Sequence, residues 1–397
     1  MDIYHQLEVK SEDPILGIPA LFRADTHAQK VNLGIGSYQN EEGKPFVFKS
    51  VRAAESQIFD SQMDKGYLPI LGDKVFIEEV SKVILGEDAP CLTEKRFIAA
   101  QSIGGSGAIR IAAEMLFFCG IKKIFIPTPS WPNHHTLVCH EGIQTELCPY
   151  YDNKTRQIDF DKLCDSISHM PARSALLLQS SCHNPTGIDL SNDQWTSLCA
   201  LLKGKDIVPI IDMAYQGMGD SLSEDAFGLR LFAKELTPLF CISFSKNFGL
   251  YGERTGLFGL VLPDTESTKK VESNLKVIVR ASYSNPPLYG ARIIRTILQS
   301  PTLKLMWEQE LTEIRHRLRV LRKAIVDELK QQNPHTDYSF FLGGKGFFSL
   351  TGLSKEQVLS LREESGVYIP ENGRINIAGL NQSNIPLVAK AITLATR

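Results

Sequence analysis

Apolar residues gather in short blocks through the middle two-thirds of this chain, with longer stretches of mixed polarity between them. The blocks at 96–100, 123–127, 175–179, 207–211, 240–244 and 256–261 have the length of strands, and most lack period-two alternation. Unbroken apolar character over such a length is what a strand covered on both faces requires. Between the blocks lie helical patterns such as 108–119 and 193–202, the second opened by the cap-like triplet Ser191, Asn192, Asp193. This alternation predicts an α/β fold, a mainly parallel sheet flanked by helices, with ligands at the carboxyl ends of the strands. From 301 to 333 the pattern becomes long-helical and charge-rich, and beyond it strands and helices mix to the C-terminus. The expected division is an N-terminal arm and small-domain segment over 1–44, a large domain over 45–305 and a smaller α+β domain over 306–397.

Composition narrows the partners. The chain has 397 residues, 43 basic against 45 acidic, for a net charge of −2, which gives no pull toward nucleic acid or an anionic membrane. Eight cysteines are scattered without a CxxC pair or zinc-like spacing, so reduced thiols are expected and no metal. No apolar run approaches the ~18 to 20 residues of a membrane-spanning helix, and the first residues lack a basic and apolar leader. The expectation is a soluble, cytoplasmic protein that handles small molecules.

The residues that end each block suggest the chemistry. After 97–100 comes QSIGGSGA, running into the helix expected from Ala108. Its backbone N–H groups and the helix dipole suit a phosphate. A plain glycine turn fits as well, because the GxxxxGK(S/T) pattern of nucleotide loops is absent. The block 175–179 leads into SSCHNPTG, placing Asn184 at a strand end, although Asn before Pro is by itself ordinary turn chemistry. The block 207–211 ends on Asp212, with Tyr215 three residues on. A carboxylate there needs a cation or strong hydrogen bonds, which a protonated ring nitrogen or a helix N-terminus would supply.

Between the last two blocks lies SFSKNFGLYGERTG, a polar loop holding Lys246 and Arg254. Alone, Lys246 reads as a solvated lysine. In company, these parts match what pyridoxal 5'-phosphate needs: a lysine to bond its aldehyde, an acid for its pyridine nitrogen and a cup for its phosphate.

The strings PSWPNHH, HNPTG, DMAYQG, SFSKNFGLYGERTG, YSNPPLYGARI and GRINIAGL together resemble the aspartate aminotransferase family, in the branch that also holds aromatic amino acid aminotransferases. The resemblance runs from VNLGIGSYQNEEGKPF to GRINIAGL, nearly the whole chain; HNPTG is shared by many fold-type I enzymes, whereas SxSKNFGLYxER is much narrower. It implies the fold-type I pyridoxal-phosphate transferase architecture and a homodimer with shared sites. Lys246 would carry the cofactor covalently, Asp212 meet its pyridine nitrogen, Tyr215 and Asn184 its phenolic oxygen, and Trp131 stack on its ring. Ser243, Ser245, Arg254, Gly105, Ser106 and Gly107 resemble the phosphate cup, with Tyr67 reaching in from the second subunit. Arg374 would grip the substrate α-carboxylate beside the backbone of Gly36, with Trp131 and Asn184 also in contact with the substrate. Arg280 would cross the dimer to a distal carboxylate. A planar guanidinium suits both carboxylates, whereas the bland alternative, a surface ion pair, contributes under about 1 kcal/mol. His134 and His135 follow Trp131 and could support the cofactor's partners; His183 and Cys182 read as loop residues.

The activity implied is a ping-pong transamination. The amino group of L-aspartate or an aromatic amino acid passes to 2-oxoglutarate, giving a 2-oxo acid and L-glutamate, with Lys246 moving the proton. Ser106 stands where aspartate-preferring relatives commonly have threonine, and GSYQN replaces their usual GVYKD, so an aromatic preference is an alternative that Arg280 opposes. A lyase on the same fold would share Lys246, Asp212 and Arg254 but not Arg280 with YSNPP. A catalytically idle homologue would be expected to lose Lys246 or Arg374, and a nucleotide loop would need a lysine that GGSGAIR lacks.

Overall fold

Seven strands build the central sheet of this computed structural model, which describes residues 3–9, 13, 15–139 and 142–396. In chain order they are β1 (Phe97–Ile103), β2 (Lys123–Thr128), β3 (Gln144–Pro149), β4 (Ser174–Gln179), β5 (Ile207–Met213), β6 (Leu239–Ser243) and β7 (Thr255–Val261). Across the sheet the order is β1, β7, β6, β5, β4, β2, β3, and neighbours are parallel except on the two sides of β7. The six expected blocks all become strands. The additional β3 lies at the edge, where Gln144, Glu146 and Leu147 are exposed, so it lacks the continuous apolar signal of its neighbours.

Alternate side chains of the inner strands feed two separate cores. Leu176, Leu178, Ile211 and Phe240 join the cluster on one face, and Ala175, Leu177, Ile210 and Cys241 join the one on the other. Both faces are therefore covered by apolar packing, which explains why these strands read as unbroken apolar runs.

The helix Gly104–Phe118 follows β1 without a loop and packs into the second cluster through Ala108, Ile111, Ala112 and Met115. The sequence places its start at Ala108; in the structure Gly105, Ser106 and Gly107 already form its first turn. Glycine is a poor helix former, so composition hides the start. Gly104 is required by the reversal from strand to helix: its φ is +63° and a Cβ there would lie 2.4 Å from Arg254 Nη2.

The expected long helix spans Pro301–Gln332, opened by proline in its first turn and by the Ser300 hydroxyl accepting from the Leu303 N–H. It passes the expected boundary at 305/306 unbroken. Its Trp307 donates Nε1–H to the Asn247 carbonyl at 2.6 Å and stacks on Phe248 at 4.4 Å, pinning the two residues after Lys246. Near the ends of the chain, Val31–Asn32 pairs in parallel with Val367–Tyr368, and Phe348–Leu350 pairs antiparallel with Arg374–Asn376. Among the described residues no helix is long and apolar enough to cross a membrane.

Candidate active site

A cleft of about 240 Å³ opens at the carboxyl ends of β4, β5 and β6. Its walls include Gly36, Gly105, Ser106, Trp131, Asn184, Asp212, Tyr215, Ser243, Ser245, Lys246, Arg254 and Arg374, so residues spread over more than 330 positions by the sequence converge on one space.

Lys246 lies in the loop after β6, half-buried, with Nζ 5.1 Å from the centre of the Tyr215 ring. Burial lowers its pKa to about 8; Asp212 opposes the shift, and Arg254 and Arg374 add to it. Its ammonium is therefore easily converted to a free amine, the form that attacks carbonyl carbon. Asp212 is the penultimate residue of β5 and is held by His134, whose Nε2 is 3.0 Å from Oδ2. His134 is fully buried, with Nδ1 2.8 Å from the Ser130 hydroxyl and its ring edge-on to Trp131 at 5.3 Å. His135, by contrast, faces outward to the Thr145 hydroxyl. Tyr215 is 5% exposed, and burial pushes its phenol well above the ordinary range, so it stays protonated.

One end of the cleft is built for an anion. The N-terminal turn of the helix Gly104–Phe118 brings Gly105 and Ser106 there, and first-turn N–H groups lack partners within a helix. A Cβ on Gly105 would stand 3.0 Å from that of Ser243, so the glycine lets backbone and serine meet. Arg254 Nη1 donates to the Ser245 hydroxyl and to the Tyr251 carbonyl, both at 3.2 Å. Gly107 sits in the same turn with its face toward Ile103 and does not reach the wall.

Arg374 occupies the opposite end. It lies diagonally across the short sheet from Phe348, whose ring covers its guanidinium at 4.2 Å. Nη1 donates to Asn184 Oδ1 at 3.0 Å, Nη2 to the Gly34 carbonyl, and Nε is buried without a partner. Burial brings its pKa down to about 10. Among the described residues no carboxylate pairs with Arg374 or Arg254. Gly36 is held against Phe348, where a Cβ would lie 2.7 Å from Cζ.

Tyr67 and Arg280 do not reach this cleft: Tyr67 is 95% exposed, and Arg280 lies on the surface of the helix Thr268–Tyr283, bonded to Ser284. Sequence reasoning missed Gln179, Tyr251 and Phe348 in the walls. Gln179 is a strand-final polar residue, which was a usable signal; Phe348 had none. His183 is structural, stacked on Tyr150 at 4.3 Å and held by burial near a pKa of about 3.

Comparison with known proteins agrees with this geometry. Residues 28–392 match the family Aminotransferase class I and II. The chain is 41% identical over 394 residues to aspartate aminotransferase of Escherichia coli (strain K12), covering 98% of this chain and 99% of the relative. Among solved structures, an aromatic-amino-acid aminotransferase from Burkholderia pseudomallei, covalently bound to pyridoxal phosphate, superposes with a TM-score of 0.96 at 40% identity over 100% of both chains. Aspartate aminotransferase from Saccharomyces cerevisiae cytoplasm superposes at 0.97 with 35% identity, over 100% of this chain and 98% of the other. On the strength of a match over nearly its whole length, the chain belongs to the class I and II aminotransferases.

Proposed function

We propose that this chain is a pyridoxal-phosphate-dependent aminotransferase that moves the amino group of L-aspartate or an aromatic amino acid to 2-oxoglutarate. One observation carries the reading: a single cleft holds a lysine with a lowered pKa, a carboxylate fixed by a buried histidine, and two arginines without carboxylate partners. These groups fit the cofactor in kind, with an anion cup at one end, an acid at a strand end and a primary amine between them. When bound, pyridoxal phosphate supplies an aldehyde that takes the substrate nitrogen and a ring that draws electrons from the α-carbon.

The chain's own residues do the rest. Gly105, Ser106, Ser243, Ser245 and Arg254 hold the phosphate. Asp212 would keep a proton on the pyridine nitrogen, Tyr215 and Asn184 would bond the phenolic oxygen, and Trp131 would cover the ring. Lys246, neutral above about pH 8, would hold the cofactor and, as a free amine, would accept the α-proton of the substrate. Arg374, beside Gly36 and Asn184, binds the α-carboxylate through two parallel hydrogen bonds.

A homodimer with shared clefts, in the cytoplasm, completes the proposal. Exposed Tyr67 and Arg280 would serve the second copy's phosphate and distal carboxylate, and Phe59, 82% exposed, offers apolar surface for the contact. The segments 1–44 and 306–397 would form the smaller body, in keeping with the pairing of residue 31 to residue 367. A preference for aromatic substrates is the second reading, favoured by the small Ser106 in the wall.

With aspartate and no acceptor, the loaded protein is expected to release one equivalent of 2-oxo acid per cofactor and stop; 2-oxoglutarate then restores turnover. Continued consumption of aspartate without an acceptor, with no stoichiometric 2-oxo acid, would identify a lyase, and no consumption at all an idle homologue. Ranking kcat/KM for aspartate, tyrosine and phenylalanine decides the substrate.

A further inference from the structure

Gln179, the last residue of β4, lines the cleft and has no part in the roles above. Its carboxamide is clamped by the main chain of Asn184: the Asn184 N–H donates to Oε1 at 2.8 Å, and Nε2 donates to the Asn184 carbonyl at 2.9 Å. A backbone N–H can only donate and a carbonyl can only accept, so this pair fixes which end of the amide is oxygen. The remaining Nε2 hydrogen has Ser130 Oγ at 3.4 Å.

Polarity then propagates. Among the described residues Ser130 Oγ has two hydrogen-bond partners, so while it accepts from Gln179 its own proton has one acceptor in reach, His134 Nδ1 at 2.8 Å. A ring nitrogen that accepts carries no proton. On the other side of the ring, Nε2 faces Asp212 Oδ2 at 3.0 Å, where an N–H is required. His134 is fully buried and Asp212 is 7% exposed, which leaves these partners to decide the ring's state.

We infer that Gln179 is a positioning residue: it orients the chain Gln179, Ser130, His134, Asp212 so that His134 is the neutral Nε2–H tautomer, a donor to Asp212 and not a second cation beside it. Asp212 faces the ring directly, and His183, which interacts with it electrostatically, is itself held neutral by burial. With His134 neutral, the whole charge of Asp212 is free for a cationic ring nitrogen. The same amide fixes Asn184, whose Oδ1 takes Arg374, so one side chain braces the partners of both Asp212 and Arg374. Its value to catalysis rests on the function proposed above. The tautomer does not, and it can be read on the protein without cofactor.

The test is nitrogen-15 NMR of histidine-labelled apoprotein at pH 7, with His134→Gln used to assign the signals. In the wild type, Nδ1 is expected in the unprotonated range and Nε2 in the protonated range. Gln179→Glu offers Ser130 only acceptors, so Ser130 must donate to it and accept from His134; Nδ1 then gains a proton while Nε2 keeps its own. In a Ser130→Ala background the same change is expected to leave the ring neutral. A wild-type Nδ1 that is already protonated overturns the inference, and that measurement needs no variant at this position. So does a folded Gln179→Glu protein with an unchanged ring, or a proton gain that persists without Ser130.

Discussion

Asp212 and Arg374 are both charged groups buried at the cleft walls, 7% and 2% exposed, and the chain treats them oppositely. Asp212 stands on a central strand and has a partner, His134, at 3.0 Å. Arg374 stands on a three-residue strand and contacts neutral groups, an amide oxygen, a carbonyl and an aromatic face; Nε has no hydrogen-bond partner, and Asp13 acts on the guanidinium only through space. Burying a cation without an anion is unfavourable, and the lowering of its pKa to about 10 reflects this. The buried carboxylate is thus partnered within the chain, on a central strand, whereas the buried guanidinium is left without a carboxylate in contact. A site that must hold one group permanently and exchange another repeatedly calls for that asymmetry.

Removing the group between the two ends breaks the comparison most severely. Lys246→Ala is expected to lower kcat by at least about 10⁴-fold, because both covalent attachment and proton transfer are lost. Equilibrium dialysis should still show cofactor bound through the anion cup. Arg374→Ala breaks only the substrate end. Two charge-assisted hydrogen bonds correspond to a fall in kcat/KM of roughly 10² to 10⁴-fold for every amino acid alike, with cofactor affinity nearly unchanged. A matching loss of cofactor affinity would mean that the two ends are not separate.

Arg280→Ala sharpens the substrate end further. Steady-state kinetics should show about 10²-fold lower kcat/KM for aspartate and little change for phenylalanine; equal losses would remove Arg280 from the distal contact. The smallest expected effect is on stability. Lys246 has a folded pKa near 8 against about 10.5 unfolded, so below pH 8 the native state bears a disfavoured buried charge. Unfolding takes up a proton between those values, so wild-type stability rises with pH across that window. Lys246→Met apoprotein should therefore be more stable than wild type below pH 8, by roughly 1–3 kcal/mol, and lose that advantage toward pH 10.5. Urea melts at several pH values measure this.

The sequence carried most of the cofactor end and less of the substrate end, for physical reasons. Strands covered on both faces must be apolar throughout, so β4, β5 and β6 were visible, and with them Asn184, Asp212 and Lys246 at their ends. The edge strand β3 is partly exposed and polar, and the helix start at Gly104 is made of residues with poor helix propensity; neither leaves a periodic signal. Phe348 reaches the cleft through diagonal pairing between two three-residue strands far apart in the chain, which no local pattern encodes. Arg374 and Arg280 were placed by resemblance, not by periodicity. Gln179 ended a block already recognised as a strand, but its importance lies in hydrogen bonds to Asn184 and Ser130 that only the fold brings into range.

The central claim is that Lys246 is the one lysine joined to the cofactor. Loading the protein with pyridoxal phosphate, reducing with borohydride and mapping the peptides by mass spectrometry tests it directly. The expected result is stoichiometric label on the peptide containing Lys246, absent in Lys246→Ala. Label spread over surface lysines, equal in wild type and variant, would contradict it.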